Sequence, residues 1–220
     1  MGMGVPTRTA MTDPLLTLAQ WMSPAFPVGA FAYSHGLEQC IADGLVHDAE
    51  SLTLWLTDII ETGGGQSDVV LLAAAYQSEE LERVDATARA LCPSTERLLE
   101  SDLQGSAFCK TVQSVWNIPI DGLIYPIAVG AAARAMDLPL EKAASLYLQA
   151  LVSNLISAAI RLIPLGQTEG QRVLLQLTPV IEETALAAIK TSLDRIGSAS
   201  FAADVASMRH ETLQPRIFRT

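Results

Sequence analysis

Proline and glycine punctuate this chain at helix-sized intervals, and between them apolar residues recur three and four positions apart. Asp48 stands ahead of Leu52, Trp55, Leu56, Ile59 and Ile60, a capping residue followed by one helical face. Asp13-Pro14 is a similar start, and that helix should stop near Met22, before Ser23-Pro24. A second helix is expected over 31–43, with Gly44 placed to end it. The run Gly63-Gly64-Gly65 should break the third helix, with Ser67 or Asp68 restarting the chain. Further helices are expected over 68–78, 79–91, 94–115, 124–136, 139–162, 168–177 and 179–196, and a short one over 198–208. No stretch alternates polar and apolar residues between hairpin signals. The pattern predicts an all-α chain of about ten helices.

Composition agrees. Half the residues are hydrophobic, mostly Ala and Leu, which lose less side-chain freedom in a helix than Val and Ile do. Aromatics are only 5%, so the core should be built from small and aliphatic side chains at close helix contacts. With 220 residues and no internal repeat or low-complexity linker, one domain is expected over 13–208. It should follow a disordered N-terminus over 1–12 and precede a flexible tail over 209–220.

The formal net charge of −10, from 24 acidic and 14 basic residues, would repel nucleic-acid phosphates and anionic lipid. A basic protein or a cation suits it better; solubility alone also accounts for the acidity. Cys40, Cys92 and Cys109 form neither a disulfide framework nor a zinc spacing, which fits a reducing cytoplasm, and no secretion signal is visible. Ala143–Ile160 carries no charge and nearly reaches membrane-spanning length. Ser145, Gln149, Ser153, Asn154 and Ser157 interrupt it, and a helix buried in a bundle fits better.

Candidates for chemistry are few. Ala32-Tyr33-Ser34-His35-Gly36 partly resembles a nucleophile elbow, and Asp204 and His210 follow in hydrolase order. An elbow needs a strand before it, and none is expected. His35, His47 and His210 include no pair three or four apart, so no local metal site is predicted; a site assembled across a subunit interface stays open, and a nickel carrier would need the histidines and cysteines to meet. The glycine run lacks the lysine of a phosphate loop, and no dinucleotide fingerprint is present. Catalytic, cofactor-binding and metal-ligating sets are therefore all read as none.

Ser145, Gln149, Ser153, Ser157 and Arg161 recur every four residues. Two readings stay open: small polar residues that permit close packing, or the lining of a wet groove ending at Arg161, which should meet a carboxylate or reach solvent. The last segment lacks periodicity and carries Arg209, Arg216 and Arg219. It reads as a frayed terminus or as a segment that orders on a partner, since Ile217 and Phe218 are costly to leave in water.

Three segments, in order, resemble one family. The first is Ser23-Pro24-Ala25-Phe26-Pro27-Val28-Gly29-Ala30-Phe31-Ala32-Tyr33-Ser34-His35-Gly36-Leu37-Glu38. The second is Arg161-Leu162-Ile163-Pro164-Leu165-Gly166-Gln167 with Gly170-Gln171. The third is Ala206-Ser207-Met208-Arg209-His210-Glu211 with Arg216-Ile217-Phe218-Arg219. Together they resemble the urease accessory protein UreF family, although Ala32 stands where serine is frequent and Gln104-Gly105-Ser106 matches the central glycine segment only loosely.

The resemblance implies an all-α, non-enzymatic protein, usually a homodimer. It implies binding to a UreD-type protein (UreH in some species) and to the GTPase UreG. That complex would deliver nickel to apo-urease through a passage and support lysine carbamylation, with nickel and GTP handled by the partners and the GTPase modulated. Partner contact is expected from Pro27, Gly29, Phe31, Tyr33, Ser34, Glu38, Arg161, Gln167, Gln171, Arg209, His210, Glu211, Arg216 and Phe218. Around Tyr33 an anchoring role and direct contact are both open. The tail is expected to dock the UreD-type partner, so that removing 209–220 leaves the fold intact and abolishes that complex.

Overall fold

The computed structural model describes residues 13–220, so the N-terminal segment expected to be disordered lies outside the described residues. Those residues form ten α-helices and two short 3-10 turns, with no strand among them. Helix α1 spans Pro14–Trp21 and α2 Leu37–Ala42; α3 is Ala49–Glu61, α4 Gly64–Gln77 and α5 Leu81–Ala90. Then come α6 (Thr95–Trp116), α7 (Tyr125–Ala135), α8 (Leu140–Leu162), α9 (Gln167–Ala188) and α10 (Phe201–His210). The all-α expectation holds.

Starts follow capping chemistry. Asp13 accepts from the Leu15 N–H, and Asp48 and Ser51 cap each other's backbone in a reciprocal box. Ser94 accepts from the Arg97 N–H at the head of α6. Gly44, in the left-handed region at φ 75°, ends α2 as expected.

Helices α4 and α8 form the centre: α4 packs on α3, α7, α8 and α9, and α8 on α1, α2, α4, α7 and α9. Leu148, Val152, Leu155 and Ile156 of α8 meet a core that includes Val69, Val70 and Leu72 of α4. By length and composition α8 is able to cross a membrane, yet about half of its most apolar window is buried inside the fold. At Gly130 the small-residue core is necessary, because a Cβ there would run into the Leu72 carbonyl oxygen of α4.

Several boundaries differ from expectation. The helix expected over 31–43 is split: Ala30–Ala32 form a 3-10 turn, and the left-handed pair His35 (φ 56°) and Gly36 (φ 81°) delays α2 to Leu37. The glycine run interrupts the chain only at Gly63, and α4 begins at Gly64, before Ser67. Helices expected over 168–177 and 179–196 are one continuous α9 containing Pro179. Proline there gives up only its bond to the carbonyl of Leu175, an exposed residue, while Val173, Leu177, Ile181 and Ala185 keep one buried stripe through it. The end of the expected 179–196 helix is instead a 3-10 turn at Leu193–Arg195.

The tail is aperiodic, as read, but it packs against the body rather than standing free. Phe218 is 3% exposed, and Thr220 is buried. Backbone bonds tie it down: Arg219 N–H donates to the Ala32 carbonyl and Ser34 N–H to the Thr220 carbonyl, each at 2.9 Å.

A candidate docking site around the folded-back tail

The site grows from Glu38 on α2. Gly36 lets α10 press on the start of that helix, since a Cβ would lie 2.8 Å from the Ser207 backbone nitrogen. Buried Glu38 accepts the Ile217 N–H at 2.7 Å on one oxygen and the Phe218 N–H at 2.9 Å on the other. His210, at the end of α10 and 0% exposed, lies with Nε2 3.1 Å from Glu38 and Nδ1 2.8 Å from Glu96. Arg216 pairs with the second oxygen of Glu96. Glu211 turns back to accept the Thr95 N–H at 2.8 Å, placing a negative charge at the positive end of α6.

Further along, Ser34 Oγ donates to the Thr220 carbonyl, and the Thr220 hydroxyl donates to Glu100 at 2.9 Å. Glu100 also meets Arg97, His35 at 2.8 Å and the Gln104 side-chain amide at 2.9 Å. Burial would push the Glu100 carboxyl up, but the Arg97 guanidinium and His35 outweigh it and hold it at about 2. Asp68, which accepts from Tyr147 Oη at 2.8 Å, is pushed up by burial despite Arg97. Arg161 closes the upper edge: its guanidinium lies 4.3 Å over the Phe218 ring and donates to the Phe31 carbonyl at 2.9 Å.

Of the expected residues, Phe31, Ser34, Glu38, Arg161, His210, Glu211, Arg216 and Phe218 are joined by these contacts. Tyr33 is buried beneath them, and its carbonyl, with that of Ala30, faces the Asn154 amide. Pro27 is exposed in the loop before the site, and Gly29 turns that loop at φ 73°. Arg209 pairs with Asp43 at 2.6 Å, on the α2 side. Gln167 and Gln171 lie exposed on the first turns of α9, and among the described residues their side chains make no hydrogen bond to the cluster.

Glu96, Arg97 and Glu100 carry no site signal in the sequence, and Asp68 reads there only as a helix start. Charges in the first turns of a helix read as solvated, and the only local signal was the four-residue spacing of Glu100 and Gln104. The polar stripe on α8 divides. Gln149, Ser153 and Ser157 line a cavity of about 390 Å³, together with Asn154, whereas Ser145 bonds its own helix at the Glu141 carbonyl. Arg161 reaches solvent and, among the described residues, meets the Ser157 and Phe31 carbonyls rather than a carboxylate. His35, Asp68, Arg97 and Ser101 line both this cavity and a smaller one of about 100 Å³.

The hydrolase triad is not assembled. Ser34 Oγ is spent on Thr220, His210 on two glutamates, and Asp204 accepts from Ser198 at 3.2 Å. Among the described residues no group of three or more His, Cys, Asp or Glu is arranged to hold a metal ion.

Among the described residues the polar groups concentrate where an all-helical body holds its own tail. A family model described as UreF matches residues 46–178. The urease accessory protein UreF of Roseobacter denitrificans is 50% identical over 211 residues, covering 95% of each chain. That of Ruegeria pomeroyi is 47% identical over 94% of this chain and 96% of its own. One from Cereibacter sphaeroides is 49% identical over 96% of this chain and 100% of its own. The chain belongs to the UreF family of urease accessory proteins.

Proposed function

We propose that this protein bridges a UreD/UreH-type accessory protein and the GTPase UreG. The complex inserts nickel into apo-urease, and this chain modulates the GTPase. One observation carries the reading: the three motif segments, far apart in sequence, converge on one patch, where Arg161 reaches both Phe31 and Phe218 and Glu38 holds the tail. The patch leaves two large apolar side chains in solvent, Phe31 at 69% and Ile217 at 68% exposed. Exposed apolar groups rimmed by arginine suit a protein partner.

Nickel and GTP are handled by the partners, consistent with the reading of no phosphate loop in the sequence. The free cysteines and a net charge of −10 favour a cytoplasmic protein that avoids nucleic acid and membrane, and further exposed leucines leave surface for a homodimer. Co-purification with the cognate UreD-like and UreG-like proteins tests the bridging role. The full-length chain should form a ternary complex and a version ending at Met208 should not. Failure of the full-length chain to bind either partner would remove the reading. Because Phe218 is buried and Glu38 and Glu96 pair with the tail, that truncation also uncovers charged groups. Its melting temperature must therefore be measured alongside.

A further inference from the structure

His210 is fully buried, and its two ring nitrogens face two different carboxylates, Glu96 at 2.8 Å and Glu38 at 3.1 Å. A neutral imidazole has one N–H and one lone pair, so it serves one carboxylate and turns its lone pair on the other. Only the imidazolium donates to both. The surrounding charges agree. From α2 comes Glu38; Asp43, just past the end of that helix, is neutralised by Arg209, the residue before His210. From α6 comes Glu96, whose other oxygen takes Arg216 of the tail. Glu211, next to His210, is turned away onto the Thr95 and Glu96 N–H groups. Two carboxylates against the single Arg216 guanidinium leave an excess negative charge, which the imidazolium cancels.

The same two carboxylates hold the tail, through the Ile217 and Phe218 N–H groups on Glu38 and through Arg216 on Glu96. We infer that His210 is a proton-operated latch: the imidazolium locks the tail against α2 and α6, and loss of one proton releases it. With the tail down, Glu38 is withdrawn from water, where its pairing with the imidazolium is strong. With the tail up, the carboxylates hydrate, and a histidine in water is neutral above about pH 6.5. Docking therefore takes up a proton, is favoured at lower pH and weakens as pH rises. The latch acts within the isolated chain, so its failure leaves the bridging role standing.

The test uses full-length, isotope-labelled protein. Ring-nitrogen chemical shifts should show both nitrogens of His210 protonated at about pH 7. Amide exchange at Ile217 and Phe218, corrected for its intrinsic pH dependence, should lose protection by about tenfold per pH unit over the alkaline range. The Val152 and Leu155 amides of α8 should not follow. A His210→Asn variant should expose the two tail amides at every pH and abolish the pH dependence. If that variant does not fold, the wild-type shifts and exchange decide alone. A neutral His210 under a protected tail at about pH 7, or tail protection independent of pH, overturns the inference.

Discussion

The guanidinium of Arg161, near the end of α8, lies 4.3 Å over the ring of Phe218, near the end of the chain. The same group donates to the Phe31 carbonyl at 2.9 Å, so one side chain joins all three motif segments. Arg161→Ala should weaken tail docking by about 1 kcal/mol, the scale of an exposed cation–π contact. Arg161→Lys should recover only part of this, because an ammonium lacks the planar fork that stacks and donates together. Amide exchange across residues 216–220 measures both. Unchanged exchange in the alanine variant would return Arg161 to ordinary surface charge.

Phe218→Ala should act more strongly. Truncating a buried phenylalanine costs about 3–5 kcal/mol, here charged mainly against the docked tail. Trypsin should then cut after Arg209 and Arg216 much faster than in the parent protein, while far-UV melting changes less. An unaltered cleavage rate would mean that the ring does not hold the tail.

Tyr33→Ala separates anchoring from contact. Tyr33 is buried under the patch, whereas Phe31 points out of it. The variant should lose about 3 kcal/mol and melt about 6–12 °C lower. An unshifted melting temperature with lost partner binding would instead make Tyr33 a contact residue.

Helix starts at Asp13 and Asp48 were legible because capping is settled within four residues of sequence. Pro179 misled because its local cost is outweighed by the stripe Val173, Leu177, Ile181 and Ala185, which only the packed neighbours explain. The break before α2 hid in the left-handed pair His35-Gly36, whose first member carries no glycine signal. The motif residues of the site were legible through the resemblance, but Glu96 and Glu100 were not. Their partners His210, Arg216 and Thr220 lie more than a hundred positions away, and no periodicity links an aperiodic tail to a helix face.

Glu100 gives a pH prediction. Its carboxyl is held at about 2, below its ordinary value, so it stabilises the fold at neutral pH and loses that contribution as pH falls from about 4.5 toward 2. Asp68, pushed up by burial, has the opposite sign and offsets part of the slope. Glu100→Gln should leave Arg97 short of a counter-charge and cost about 3–5 kcal/mol at neutral pH. Its stability should also fall less steeply in acid. Urea melts across that range check this, and parallel curves for the two proteins would contradict it.

Gly130→Ala should destabilise the whole domain by about 1–3 kcal/mol, since the new methyl meets the Leu72 carbonyl and the helices must part. A melting temperature within one degree or so of the parent, where about 2–12 °C of loss is expected, would mean that α7 has room to shift.

The most direct measurement is co-purification of the Phe31→Ala, Ile217→Ala double variant with the cognate UreD-like and UreG-like proteins, beside its melting curve. Both side chains are exposed, so the fold should be unaffected. A docking role for the patch predicts an unchanged melting temperature with the ternary complex lost or severely weakened. An unchanged melting temperature with a fully formed complex would contradict it, and would place the partner surface elsewhere on the protein.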